Sequence, residues 1–191
     1  LNIIAIKNNL LGIEVVNEDE NEVIVKVASG ENWDEFVNYA VQQGWSGIEA
    51  LSAIPGTVGA APVQNIGAYG QEVSNAITSV SVFEMKNGST KDFNNEMCQF
   101  NYRDSVFKQN PGQYFITSVT FRLGKDLNPG VPDYESAKSY FAERKITNPT
   151  LEQIRAGITE IRWSKLPRPE VLPNCGSWFK NPIVLKTKVM K

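Results

Sequence analysis

Three clusters in this 191-residue chain join residue types that can do chemistry. The first, residues 47–70, holds five glycines, two prolines and almost no charge. Successive N–H groups of such a backbone can form a concave anion site, and glycine lets a phosphate come close. The run is not a P-loop, lacking Gly-Lys-Ser/Thr, and contains no GxGxxG. On spacing alone a tight buried crossover in a β-rich domain explains it as well. The second cluster is Asn101-Tyr102-Arg103-Asp104-Ser105-Val106-Phe107-Lys108. Arg103 beside Asp104 is either a surface or structural ion pair or a guanidinium held toward an anionic group or a developing oxyanion. The third is Asn174-Cys175-Gly176-Ser177-Trp178-Phe179-Lys180-Asn181-Pro182. Ser177 is a turn or N-cap residue there, or a hydroxyl presented in an apolar pocket. The chain has no histidine, so no imidazole can take the serine proton, and Ser177 is a poor acyl nucleophile. A serine can still give its proton to a carbanion or enolate. That role suits a reductase better than a hydrolase.

Elements of both kinds must hold these clusters. Short apolar runs at 3–6, 12–16 and 22–28 read as strands, the last alternating through Val23, Val25 and Val27, with a polar hairpin turn at 17–21. Asn32 is a helix N-cap with Asp34 and Glu35 in the first turn; Trp33, Phe36, Val37, Ala40 and Val41 make one apolar face, and Gly44 ends the helix. Strands resume at 77–84 and 115–123, with an Asn87-Gly88 hairpin between them. The break at 129–132 is the expected domain boundary, dividing residues 1–128 from 129–191. Beyond it the chain turns helical over 134–144 and 150–164. Thr150 and Gln153 fit a capping box, and Leu151, Ile154, Ile158 and Ile161 form a stripe. Residues 174–184 read as a glycine-containing turn into a strand.

Composition narrows the function classes. With 19 basic and 21 acidic side chains the net charge is −2, which gives no general electrostatic reason to bind nucleic acid or an anionic membrane. The absence of histidine excludes Ser-His-Asp and Cys-His catalysis and His-ligated metals, and no metal site is expected. Cys98 and Cys175, 77 positions apart and without CxxC spacing, read as reduced thiols of a cytoplasmic protein, with a disulfide between them as the minor alternative. No apolar run approaches 18 residues and no signal peptide is evident. A start at Leu1, inside an apolar run, points to a piece of a longer protein.

The three clusters together resemble the hallmark segments of the UDP-N-acetylenolpyruvoylglucosamine reductase family: Ile54-Pro55-Gly56-Thr57-Val58-Gly59-Ala60-Ala61-Pro62-Val63-Gln64-Asn65-Ile66-Gly67-Ala68-Tyr69-Gly70, then Tyr102-Arg103-Asp104-Ser105-Val106-Phe107-Lys108, then Gly176-Ser177-Trp178-Phe179-Lys180-Asn181-Pro182. They stand in the family's order and at compatible spacing. The resemblance implies an α+β fold, with an FAD-binding domain of the vanillyl-alcohol-oxidase/PCMH type (1–128) followed by a substrate-binding α+β domain (129–191). It implies that the 54–70 run wraps FAD, that NADPH is the reductant, and that the enolpyruvyl ether of UDP-N-acetylglucosamine is reduced to UDP-N-acetylmuramate for peptidoglycan. It makes Ser177 the proton donor and Arg103 the group polarising the substrate carboxylate. Tyr102, Tyr134, Lys165 and Asn181 become substrate-binding positions. Tyr134 is followed by Glu135-Ser136 where the family has Gly-Asp, and Cys175 stands where the family commonly has alanine. The family's upstream Gly-Gly-Gly-Ser-Asn segment and its downstream catalytic glutamate have no counterpart in these residues. The expected protein is a cytoplasmic monomer. A catalytically incomplete flavin- or nucleotide-binding fragment, and another flavin oxidoreductase of the same fold, are the competing readings.

Overall fold

The computed structural model describes residues 6–167, 171–172 and 180–182. Alternating valines build its centre. Strand β1 (Ile13–Glu18) pairs antiparallel with β2 (Glu22–Ala28), and the turn between them is shorter than 17–21 because Asn17 and Glu18 belong to the strand. In β2, Val23, Val25 and Val27 all face inward and are fully buried, as a period of two requires. Helix α1 (Trp33–Gln42) starts at the expected cap: the Asn32 side chain accepts from the Glu35 N–H. Its face of Trp33, Phe36, Val37, Ala40 and Val41 is buried over the sheet, where Trp33, Phe36 and Phe121 stack with ring centroids 5.0–6.1 Å apart.

Residues 47–70 have little regular structure. They contain two short 3-10 turns, Glu49–Leu51 and Val58–Ala60, and a two-residue ribbon in which β3 (Gly67–Ala68) pairs with β4 (Gln71–Glu72). Strands β5 (Ile77–Glu84) and β6 (Ser89–Asn94) form the hairpin that Asn87-Gly88 announced. A single helical turn, α2 (Val106–Gln109), is capped by Ser105. The 11-residue β7 (Tyr114–Gly124) returns through the middle of the sheet, whose order is β1-β2-β7-β5-β6, antiparallel throughout.

Helices α3 (Glu135–Glu143) and α4 (Leu151–Lys165) complete the described elements. Tyr134 is the N-cap of α3 rather than its first helical residue, and Thr150 and Gln153 close the capping box of α4 from both sides. Ala137, Phe141, Ile154, Ile158 and Ile161 form a second apolar cluster that takes in Ala50 from the glycine-rich run. α4 therefore lies against both α1 and the 3-10 turn at Glu49–Leu51. No helix among the described residues is long and apolar enough to cross a membrane. Of the 3–6 run only Ile6 is described, as exposed coil. The expected turn and strand at 174–184 lie mostly outside the described residues.

Candidate functional site

The glycine-rich run is fixed by groups that α1 and the end of β2 supply. The Trp33 indole N–H donates to the Leu51 carbonyl (2.9 Å), and the Trp33 backbone N–H to that of Gly56 (3.1 Å). The N–H groups of Val58 and Gly59 donate to the carbonyls of Glu31 and Ser29, both at 2.9 Å. Asp34 Oδ1 accepts from the Ala53 N–H (2.6 Å), and the Ser105 hydroxyl donates to Val63 O (2.6 Å). Asn65, only 1% exposed, ties three segments: its Oδ1 accepts from Ser74 N–H, and its Nδ2 donates to Glu72 Oε2 and Asn101 O.

Four non-glycine residues of this neighbourhood hold left-handed backbone: Ala53 (φ 59°), Asn65 (φ 43°), Tyr69 (φ 49°) and Arg103 (φ 53°). Such conformations cost about 1 kcal/mol or more and persist only where the surroundings over-determine them. At Gly56, with φ 127°, a side chain would be strained by the backbone although open space surrounds its Cβ position. The loop thus turns bare backbone outward at that point. That suits close approach of a phosphate-bearing group at Gly56, whereas the Val58 and Gly59 N–H groups are turned inward onto the Glu31 and Ser29 carbonyls.

Arg103 is anchored by this same run. Its Nη2 donates to Gly67 O and its Nη1 to Asn65 O (3.3 Å), with Glu72 Oε1 at 3.7 Å and the Tyr102 ring at 5.1 Å from its Cζ. Its expected partner, Asp104, instead accepts from Gln109 and from the Ser105 N–H, and these bonds hold its carboxyl below the usual range. The structure therefore excludes an ion pair, surface or structural, between Arg103 and Asp104.

In front of Arg103 lies a cleft of about 600 Å³. It brings together Tyr102, Arg103, Tyr134, Lys165 and Asn181, and Gly67 to Tyr69 form its wall. Tyr69 meets Tyr134 edge to face at 5.5 Å, and the Lys180 ammonium sits 5.4 Å from the Tyr102 ring centroid. The same cleft contains Arg162, which sequence reasoning missed. The available signal was its spacing: three residues before Lys165 on α4, it shares that residue's helix face. Burial lowers the Arg162 pKa, while Tyr69 and Asp34 oppose that shift; the guanidinium remains a cation. Burial also raises the Tyr69 phenol, keeping it protonated. With Arg103, Arg162 and Lys165 against Glu72, the cleft is net positive and suited to a polyanion. A larger cleft of about 820 Å³ between α1 and α4 contains none of the candidate catalytic, cofactor-binding or substrate-binding residues named from the sequence. Ser177 and Cys175 lie outside the described residues. Cys98 is buried as a free thiol.

Residues 3–94 match the family model of the FAD binding domain. Over 178 residues, 91% of the chain, it is 48% identical to a UDP-N-acetylenolpyruvoylglucosamine reductase of Psychrobacter sp. (strain PRwf-1), 46% of which is covered. A protein of the same name from Idiomarina loihiensis is 44% identical over 97% of the chain and 54% of its own length. Among solved structures, the UDP-N-acetylenolpyruvylglucosamine reductase of Thermus caldophilus aligns with a TM-score of 0.59 and 25% identity, covering 82% of this chain and 48% of that one. The α+β fold is shared, and the chain spans about half the length of the relatives it matches.

Proposed function

We propose that this chain, homologous along nearly its whole length to UDP-N-acetylenolpyruvoylglucosamine reductases and matching the FAD binding domain, serves as the cofactor- and substrate-gripping part of such a reductase. The substrate is the enolpyruvyl ether of UDP-N-acetylglucosamine, the product UDP-N-acetylmuramate, and the setting cytoplasmic peptidoglycan synthesis by a monomer. Residues 1–128 hold the cofactor and residues from 129 onward close over the substrate. The observation that carries this reading is the cationic cleft whose wall is the glycine-rich run itself.

Residues 54–69 would hold FAD, and the bare backbone at Gly56 leaves room for its phosphates. When bound, FAD would supply two-electron hydride chemistry, with NADPH as reductant and the β-carbon of the enolpyruvyl group as the position reduced. The residues of this chain do the rest. Arg103 faces the substrate carboxylate, on which charge grows as the enolate develops. A preorganised donor at such a position is worth roughly 3–4 kcal/mol. Its anchoring to Gly67 O and Asn65 O holds the guanidinium in place before substrate arrives. Ser177 gives its hydroxyl proton to the α-carbon. Lys165 and Arg162 counter the diphosphate, while Tyr134, Tyr102 and Asn181 line its path.

The test uses the full-length protein. It should purify with a flavin spectrum, bleach with NADPH and recover on adding the enolpyruvyl substrate. Ser177→Ala should leave bleaching intact and slow recovery. A protein that binds flavin but recovers only with oxygen would be an oxidase of the same fold. One with no flavin reaction at all would be a binding scaffold.

A further inference from the structure

We infer that Arg155, on α4 and outside the substrate cleft, is a positioning residue for the cofactor loop, acting through Asp34 on the left-handed turn at Ala53. The inference rests on reading residues 54–69 as the FAD loop. Arg155 grips Asp34 with both ends of its guanidinium fork, Nη1 to Oδ1 at 2.6 Å and Nη2 to Oδ2 at 3.0 Å. Its Nε donates to Asn38 Oδ1 (3.1 Å). Asp34 and Asn38 are four residues apart on α1 and so share one face. Arg155 therefore reads that face as a unit, and only 18% of its side chain is exposed. The same Asp34 Oδ1 accepts the Ala53 N–H. The bond from Ala53 fixes the residue that needs fixing most, because φ 59° is unfavourable for alanine.

The segment after Ala53 is stiff. Pro55 allows little rotation, and the Gly56 carbonyl is held by Trp33 N–H. The direction in which Ile54-Pro55-Gly56-Thr57 leaves the core is therefore decided at Ala53. Without Arg155, Asp34 would lose its bidentate partner and could swing toward solvent, releasing the Ala53 N–H. Ala53 would then relax toward ordinary backbone and re-aim Ile54 and Pro55 ahead of the anchored Gly56 carbonyl. Cofactor binding would have to return Ala53 to φ 59°, and the affinity would fall by that cost.

The test measures FAD affinity of the full-length apoprotein by flavin fluorescence, with thermal unfolding of the apoprotein alongside. Arg155→Gln should raise the FAD dissociation constant roughly tenfold, the usual consequence of losing one charge-assisted contact. Ala53→Gly, which adopts φ 59° without penalty, should by itself leave affinity near that of the wild type. Placed in the Arg155→Gln background it should recover most of the lost affinity without restoring the unfolding temperature. A merely structural ion pair would not respond to residue 53 in that way. If Arg155→Gln does not fold, Arg155→Lys, which keeps the charge and loses the fork, carries the same comparison. Unchanged FAD affinity in the Arg155 variant, or a loss that Ala53→Gly fails to relieve, overturns the inference. A wild-type apoprotein that takes up no FAD defeats the underlying reading of the loop and is seen before any variant is made.

Discussion

Gly67→Ala separates the placing of Arg103 from its presence. A Cβ added at Gly67 would lie 2.6 Å from Arg103 Nη1, 3.0 Å from Gln71 O and 3.1 Å from Glu72 Cγ. The backbone and the Glu72 stem hem in two sides, so the guanidinium, the free end of a long side chain, is what yields. It must move by roughly 1 Å to reach ordinary contact, which takes it off Gly67 O and Asn65 O. Because Arg103 can retreat into the open cleft, folding stability should drop by less than about 1 kcal/mol. The chemistry should suffer far more, since a misplacement of about 1 Å at a reacting centre costs on the order of a hundredfold. On the proposed function, flavin reoxidation by the enolpyruvyl substrate, monitored by stopped flow on the FAD-loaded full-length protein and expressed per bound flavin, should slow about a hundredfold in Gly67→Ala. Arg103→Ala should slow it by roughly 200- to 1,000-fold. The double variant should be no slower than Arg103→Ala alone, because both changes remove one effect. A Gly67→Ala rate within about threefold of wild type, or losses that multiply in the double variant, would refute the reasoning.

The same geometry yields three further outcomes. On the proposed function, Lys165→Ala in the full-length protein should raise KM for the UDP-linked substrate about tenfold while kcat changes by less than about threefold, measured in steady state, and the KM effect should shrink as salt is added. Burial pushes the Asp34 carboxyl up, but the bonds from Arg155 and the Ala53 N–H outweigh that and hold it below the usual range. A carboxyl depressed by folding stabilises above its unfolded value, near 3.9, and ceases to do so as pH falls through its folded value. The gap in unfolding temperature between wild type and Asp34→Asn should therefore be flat from about pH 7 to 5 and close below about pH 4. Burial pushes the Cys98 thiol up to about 12. It should take no iodoacetamide label at about pH 8 in the native protein, by peptide mass spectrometry, and label fully once unfolded.

What the sequence disclosed was whatever depends on neighbours along the chain. The alternation of Val23, Val25 and Val27, the Asn32 cap, the Thr150 capping box and the Asn87-Gly88 turn are all local, and each stands where its spacing put it. The convergence of Arg103, Tyr134, Lys165 and Asn181 on one cleft has no local signature; the motif resemblance alone led to it. Contacts between distant segments were illegible. Asp34 and Arg155 are 121 residues apart, and Arg103 is held by carbonyls 36 and 38 residues before it. No periodicity announces such pairings. The one-turn helix Val106–Gln109 went unseen because four residues are too few to show a period.

Helix α4 also acts as a ruler. Arg155 grips α1 near one end, while Arg162 and Lys165 reach the cleft near the other, all on one unbroken run of hydrogen bonds. A residue inserted between them would shift the two cleft cations by about 1.5 Å and swing them through about 100° around the axis. Length changes in this interval are therefore forbidden, whereas the Asn87-Gly88 turn, which meets no part of the cleft, can lengthen freely. In a survey of natural chains of this kind, gaps should gather at that hairpin and be missing from the stretch between Arg155 and Lys165.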